Sequence, residues 1–338
     1  MTDVAAKKPQ SQSAEDRLIA RHFKPIARHP GAFGLVDDAA VLGTPPGHEL
    51  VLTVDAIVGG EHYFPDDPPD AVARKALRVN LSDLAAKGAQ PAGFLLSLAL
   101  PKSVNENWLK SFARGLSADA KRYGCPLLGG DTVRTKGPVM ISVAAFGTLP
   151  AGTMVRRTGA KVGDHVVVTG TIGDAALGLK LRLQPATARR WKLATKQRAH
   201  LAARYLVPEP RNALAEVIRT HASAAMDVSD GLVGDLTKLC AASGVAAEVE
   251  VARVPLSAAA RAALSAEPKL IESILTGGDD YEIVATVPPG KLATFRAAAK
   301  AAGVPVSALG RVVAGKETRF LRPDGKPMKF ARGSFSHF

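Results

Sequence analysis

The chain has 338 residues, with 44 Lys and Arg against 31 Asp and Glu, a net charge of +13, and 46% hydrophobic but only 5% aromatic residues. That length suits two domains of ordinary size, and the composition excludes a largely disordered or collagen-like chain. No apolar run approaches the roughly 20 residues that cross a bilayer, and MTDVAAKKPQSQSAEDR has no apolar stretch of signal-peptide type, so a cytoplasmic location is expected.

Taken along the chain, residues 1–16 read as a flexible tail, and EDRLIARHFKPIARH then has apolar residues at helical spacing. Four strand-length apolar runs bounded by Gly or Pro follow: AAVLG around Val41, ELVLTVDAIV from Glu49, AGFLLSLALP from Ala92 and PVMISVAAFGTLP from Pro138. Two helical stretches lie between them, PDAVARKALRVNLSDLAAKG and NENWLKSFARGLSADAKRYG, the second stopping at Gly124 behind Lys121 and Arg122. Alternating strands and helices predict an α/β or α+β domain over 17–150. A second α/β unit over 151–338 begins with the strand KVGDHVVVTG and the helix IGDAALGLKLRL. PRNALAEVIRTH adds a helix, AAMDVSDGLVGDLTKLCAASG a strand, a turn and a helix, and AAEVEVARVP, YEIVATVP and SALGRVV add strands.

The basic excess is uneven. Residues 1–150 hold 17 Lys and Arg against 15 Asp and Glu, and 151–338 hold 27 against 16. Lys180 to Arg204 alone carries eight basic residues and no acid. A solvated amphipathic helix explains such a run more readily than a nucleic-acid site. Cys125 and Cys240 lie far apart with no C-x-x-C spacing and read as two reduced, buried thiols.

Aspartates recur at the ends of apolar runs, beside small residues: Asp37 and Asp38, Asp55, Asp83, Asp131, Asp227 and Asp230, Asp279 and Asp280. One such Asp is ordinarily a turn former or helix cap. Many of them together imply cations, because gathered carboxylates repel one another and are costly to desolvate. Carboxylates without supporting Cys or His suit a hard ion such as Mg²⁺, shared with phosphate oxygens, and disfavour zinc. Glycines stand beside several of them, in GGDT at Gly129–Asp131, TGTIGD at Gly170–Asp174 and SDGL at Ser229–Leu232. Glycine there lets backbone N–H groups approach phosphate, although each instance taken alone is a plain turn. The chain has no G-x-x-x-x-G-K-[ST], no protein-kinase motif set and no G-x-S-x-G. These residues together describe a two-domain enzyme that handles phosphates with several Mg²⁺ ions.

DDAAVL, NLSDLAAKGAQP, LLGGDT, RRTGAKVGD, MDVSDGL and GGDDYE stand in the order found in bacterial thiamine-monophosphate kinases, of the aminoimidazole-ribonucleotide-synthetase-like superfamily, and the chain resembles that family over about 17–338. The resemblance implies ATP-dependent phosphorylation of thiamine phosphate to thiamine diphosphate by direct in-line transfer. It implies Mg²⁺ held by Asp38, Asp83 and Asp227, further ions at Thr53, the Val54 main chain, Asp55 and Asp131, and another at Asp230. Gly130, Asp131, Arg157 and Ser229 would contact ATP, with Tyr123 near adenine or in the core. His62, Asp279 and Phe335 would line the thiamine phosphate site. The resemblance also implies a homodimer whose N-terminal sheets pair into a barrel-like interface.

The sequence departs from the family at three places. Val36 replaces a Gly before the Asp pair, Asp279 is one methylene shorter than the usual Glu, and Phe335 stands where Tyr is common. Outside the resemblance, Arg157 could cap a helix or pair with Asp164, and His62 could be an ordinary loop histidine. Two other functions fit parts of the pattern: another ATP-dependent enzyme of the superfamily, and a non-catalytic RNA- or metabolite-binding protein using 180–204. The AAKKPQSQSA tail carries no Cys of the kind a selenide user needs, and the near-intact carboxylates argue against a non-catalytic protein.

Overall fold

A computed structural model of the chain describes residues 13–334. Most of the expected tail lies outside that range, but Ser13 already caps a short helix, α1 (Ala14–Leu18). Ser13 Oγ accepts from Asp16 N–H at 2.9 Å while Ser13 N–H donates to Asp16 Oδ2 at 3.0 Å, which satisfies donors at the helix start. A wider turn over Ile19–Phe23 and a 3-10 turn over Lys24–Ile26 follow, and Pro25 has no N–H with which to continue the helix. The strand expected around Val41 does not form. Residues 36–47 are irregular, and Val41, itself exposed, donates its N–H to Gly31 O at 2.8 Å, which ties the segment to a turn instead of a sheet.

The strands β1 (His48–Val58), β2 (Gln90–Leu100), β3 (Leu127–Arg134) and β4 (Met140–Pro150) make a four-stranded sheet in the order β1-β4-β2-β3. Only β2 and β3 run parallel. Helices α2 (Pro69–Ala86) and α3 (Glu106–Arg122) cover one face. There Phe94, Leu96, Leu98, Ile141 and Val143 meet Leu77, Leu81, Leu84, Phe112 and Leu116. On the other face Leu52, Val54, Leu95, Val133 and Met140 stay exposed. The GGDT segment forms no turn and lies inside β3.

The second sheet contains β5 (His165–Thr169), β6 (Ala224–Val228), β7 (Ala246–Glu250), β8 (Glu282–Val287), β9 (Val306–Val313) and β10 (Arg319–Leu321), in the order β10-β7-β9-β5-β8-β6. All its pairs are antiparallel except β10 with β7. One face packs on α4 (Asp174–Leu183), α5 (Thr187–Arg190), α6 (Thr195–Leu206), α8 (Leu232–Ala242), α9 (Ala258–Ala266) and α10 (Leu270–Thr276). The other packs on α7 (Ala215–His221), α11 (Leu292–Ala301) and the last turn of α2, through Ala85 and Ala86. Cover on both faces explains why β6 and β8 are buried along their whole length. The protein is therefore a two-domain α/β molecule with two mixed sheets.

α2 is the element that joins the two units, and it is buried nearly all round. Arg78 forks onto Asp119 of α3 (2.5 and 3.0 Å) and reaches Pro208 O and Glu209 across the junction, both at 2.8 Å. Asn212 Nδ2 donates to Leu81 O at 3.0 Å and Lys87 Nζ to Ala225 O at 2.7 Å. Breaking a buried ion pair of the Arg78–Asp119 kind costs about 3–5 kcal/mol. The basic segment is partly structural as well, since Arg182, Arg190 and Arg204 pair with Asp66, Glu267 and Glu282. Among the described residues, no helix is long and apolar enough to cross a membrane.

Candidate active site

Four of the expected carboxylates meet where the two units join. Asp55 on β1 and Asp83 on α2 come from the first unit, and Asp227 and Asp230, at and just after the end of β6, come from the second. Thr53 Oγ1 donates to Asp83 Oδ2 at 2.6 Å. Asp55 N–H donates to Asn80 Oδ1 at 2.9 Å, and Asn80 is held in turn by Ala76 O. Burial pushes the Asp55 carboxyl up to about 6, and the like charges of Asp83 and Asp230 add to the effect. Burial and then Asp83 raise Asp227 well above the usual carboxylate range. Such a group has too much negative charge for its surroundings and favours a proton or a cation.

Cations frame the group. Lys238 Nζ donates to Asp230 at 2.6 Å and to Asp235 at 3.0 Å, and Asp235 Oδ2 accepts the Asp230 N–H at 2.9 Å. Burial first, and Arg157 second, pull the Lys87 ammonium down to about 8 against the attraction of Asp227 and Asp83. Arg157 thus lies near Lys87. Asp164, its alternative partner, is taken by Lys161 N–H and the Ser223 hydroxyl.

His62 and Asp279, distant in sequence, are brought together by Lys75 of α2. Lys75 Nζ donates to His62 O and to Asp279 Oδ2, both at 2.9 Å. Asp279 and Tyr281 adopt positive φ of 72° and 50°, a region that non-glycine residues seldom occupy. Their N–H groups bond Ser229 O and Val228 O at 2.8 Å, which holds this turn against the end of β6. Ser229 therefore touches the Asp279 turn through its main chain. Tyr281 is buried among Asp279, Asp55 and Asp227, and burial first, then these charges, raise its phenol above the usual range.

Asp38 and Asp131 lie elsewhere, on a cavity of about 650 Å³ lined also by Asp37, Ser97, Gly130, Leu95 and Phe146. Asp131 pairs with Ser97 across β2 and β3, and its Oδ1 accepts the Thr132 N–H at 2.9 Å. Val54 alternates outward onto the exposed sheet face, so its side chain points away from Asp83. Tyr123 does not line this cavity. Its ring lies between the Arg78 and Arg122 guanidiniums, at 5.4 and 5.1 Å, beside the ion pairs of the junction. Phe335 falls outside the described residues.

Among the described residues, no three His, Cys, Asp or Glu side chains are grouped so as to hold a metal ion by themselves. The donors present are nevertheless hard oxygens in mutual repulsion, and they fit Mg²⁺ whose remaining ligands are phosphate oxygens or water. Sequence reasoning missed Lys75, Lys87, Asn80 and Tyr281. The signal for the two lysines was available, because Lys75, Val79, Asp83 and Lys87 follow one another at four-residue steps along one stripe of α2.

Both units of the chain are similar to known proteins. Residues 36–149 match the AIR synthase related protein N-terminal domain and 161–322 the C-terminal domain. The thiamine-monophosphate kinase of Caulobacter vibrioides is 44% identical over 318 residues, covering 93% of this chain and 88% of that protein. A crystal structure of thiamine-monophosphate kinase from Stenotrophomonas maltophilia superposes with a TM-score of 0.81 at 37% identity, over 93% of this chain and 96% of that one. AaThiL complexed with AMPPCP and TMP superposes with a TM-score of 0.76 at 31% identity, over 91% and 97%. With both units matched in order and identity sustained over almost the whole length, the chain belongs to the thiamine-monophosphate kinase family.

Proposed function

We propose that the protein transfers the γ-phosphoryl group of ATP to thiamine phosphate, giving thiamine diphosphate and ADP, in the cytoplasm. The observation that carries this is the meeting of Asp55, Asp83, Asp227 and Asp230 beside the joined His62 and Asp279, in a chain whose full-length relatives are thiamine-monophosphate kinases. A phosphate oxygen of the acceptor, already ionised near neutral pH, attacks the γ-phosphorus. The bond to the β,γ-bridging oxygen breaks, and ADP leaves with its electron pair. No general base is required.

The chain's own work is to align two polyanions that repel by several kcal/mol at a few ångströms, even at an effective dielectric of about 20. Asp38, Thr53, the Val54 main chain, Asp55, Asp83, Asp131, Asp227 and Asp230 would hold Mg²⁺, which when bound neutralises phosphate charge. Gly130, Asp131, Arg157 and Ser229 form the nucleotide side of this reading. Arg157 is supported by its place beside Lys87, which itself lies in the field of Asp227 and Asp83. Gly130 and Asp131 are supported by the cavity they line. Tyr123 has its support in the junction instead, where it packs between two arginines. His62, Asp279 and Phe335 form the acceptor side.

The apolar outer face of the first sheet supports a homodimer. The test of the activity is ADP release and thiamine diphosphate formation by the purified protein with ATP and Mg²⁺, with and without thiamine phosphate. ADP release that does not depend on thiamine phosphate overturns the assignment.

A further inference from the structure

We propose that Lys75 is the positioning residue of the acceptor site, its one ammonium fixing the His62 loop and the Asp279 turn to each other. This rests on the reading of His62 and Asp279 as thiamine phosphate contacts.

Lys75 lies in the middle of α2 and its side chain is 3% exposed, so a ligand cannot reach it. A buried ammonium persists only when its donors are engaged. Here one donor meets His62 O and another Asp279 Oδ2, both at 2.9 Å, and the group sits 4.3 Å from the centroid of the Tyr205 ring on α6. The Lys75 ammonium is therefore the point at which a loop of the first unit, a turn of the second and a helix of the second meet. Its partners differ from it in access. Asp279 keeps 31% of its side chain exposed, and His62 is half-buried.

Both partners are also oriented locally. His62 Nδ1 accepts the Val58 N–H at 3.1 Å, which sets the ring within its own loop. Arg182 of α4 lies 4.9 Å over the Phe64 ring and pairs with Asp66 and Asp67, which steadies the loop against the second unit. Asp279 is set within its turn by Ser229 O and Tyr281. Lys75 bonds both pieces through one ammonium. Small misplacements of substrate-positioning groups cost far more in acceptor use than in stability.

The test uses Lys75→Met, which keeps the apolar stem and removes both hydrogen bonds, together with Asp279→Asn and the double variant Lys75→Met/Asp279→Asn. In Lys75→Met the KM for thiamine phosphate is expected to rise about ten- to a hundredfold, with the KM for ATP staying within about twofold. In ligand-free protein, hydrogen exchange over 59–67 and 277–281 is expected to quicken. The double variant leaves no unpaired buried charge and carries the measurement if the single variant does not fold. Its loss should match the larger single loss, because contacting residues are not additive. Equal rises in both KM values, fully additive losses, or unchanged exchange in both segments overturn the proposal. Wild-type protein without thiamine phosphate turnover overturns the functional reading instead, and exchange in the ligand-free protein still decides whether Lys75 joins the two segments.

Discussion

Asp83 shows how much of the chemistry rests on single side chains. It accepts the Thr53 hydroxyl at 2.6 Å and raises both Asp55 and Asp227 through like charge. Asp83→Asn keeps the shape and removes the charge. Turnover at saturating substrates is expected to fall by about a hundred- to a thousandfold, the range for losing one preorganised electrostatic group. Thermal stability should hold or rise, since a repulsive charge leaves a buried cluster. Steady-state kinetics and a melting curve check both, and near-wild-type turnover at limiting Mg²⁺ would show that the cluster holds no catalytic ion. Asp83 was readable in NLSDLAAKGA because an acid among small and apolar residues is conspicuous. Lys75 in ARKAL was readable only as a member of the Asp83 stripe of α2, and its burial was not, because a lysine on a helix has the same local signature whether solvent or a buried carboxylate lies beyond it.

Gly130 separates two explanations of one glycine. The sequence pattern suggests a place where backbone approaches phosphate, but in the structure a Cβ at Gly130 would stand 1.9 Å from Leu96 O of the neighbouring strand. β2 and β3 would have to part to admit it. Gly130→Ala is expected to destabilise the protein by about 1–3 kcal/mol, as overpacking does. The urea midpoint should fall with little change in slope. An unchanged midpoint with weakened ATP binding would instead assign the glycine to phosphate alone. Neighbouring elements teach the same point about reach. β1, β2 and β4 were recoverable from apolar runs bounded by Gly and Pro, whereas AAVLG looks equally strand-like and forms none. Strand formation requires pairing with a sheet edge, and this segment spends the Val41 N–H on Gly31 O instead.

The molecule as a whole is asymmetric in its cover. The second sheet is packed on both faces, while the first leaves Leu52 at 63% and Val54 at 64% exposure on its outer face. A second copy of the chain is the occupant expected there, consistent with the near-neutral charge of 1–150. Light scattering at micromolar concentration should give twice the monomer mass. A Leu52→Glu/Val54→Lys variant should give the monomer while keeping its circular dichroism spectrum. A monomeric wild type would place these residues outside any self-interface.

By itself the sequence determined the α/β class, most of the strands and helices, the order of the acidic motifs and, through that order, the family. These properties are written in short-range periodicity and in residue types whose chemistry is visible without a fold. Tertiary structure decided which carboxylates share a site. It set Asp55, Asp83, Asp227 and Asp230 at the junction and Asp38 with Asp131 on a separate cavity. It also put Tyr123 between arginines and made Lys75 the link between His62 and Asp279. The reason is the burial of α2 between two sheets. Once a helix is enclosed on every side, charged groups on it such as Lys75 and Arg78 draw their partners from distant segments, and which segment arrives is set by packing that no local pattern encodes.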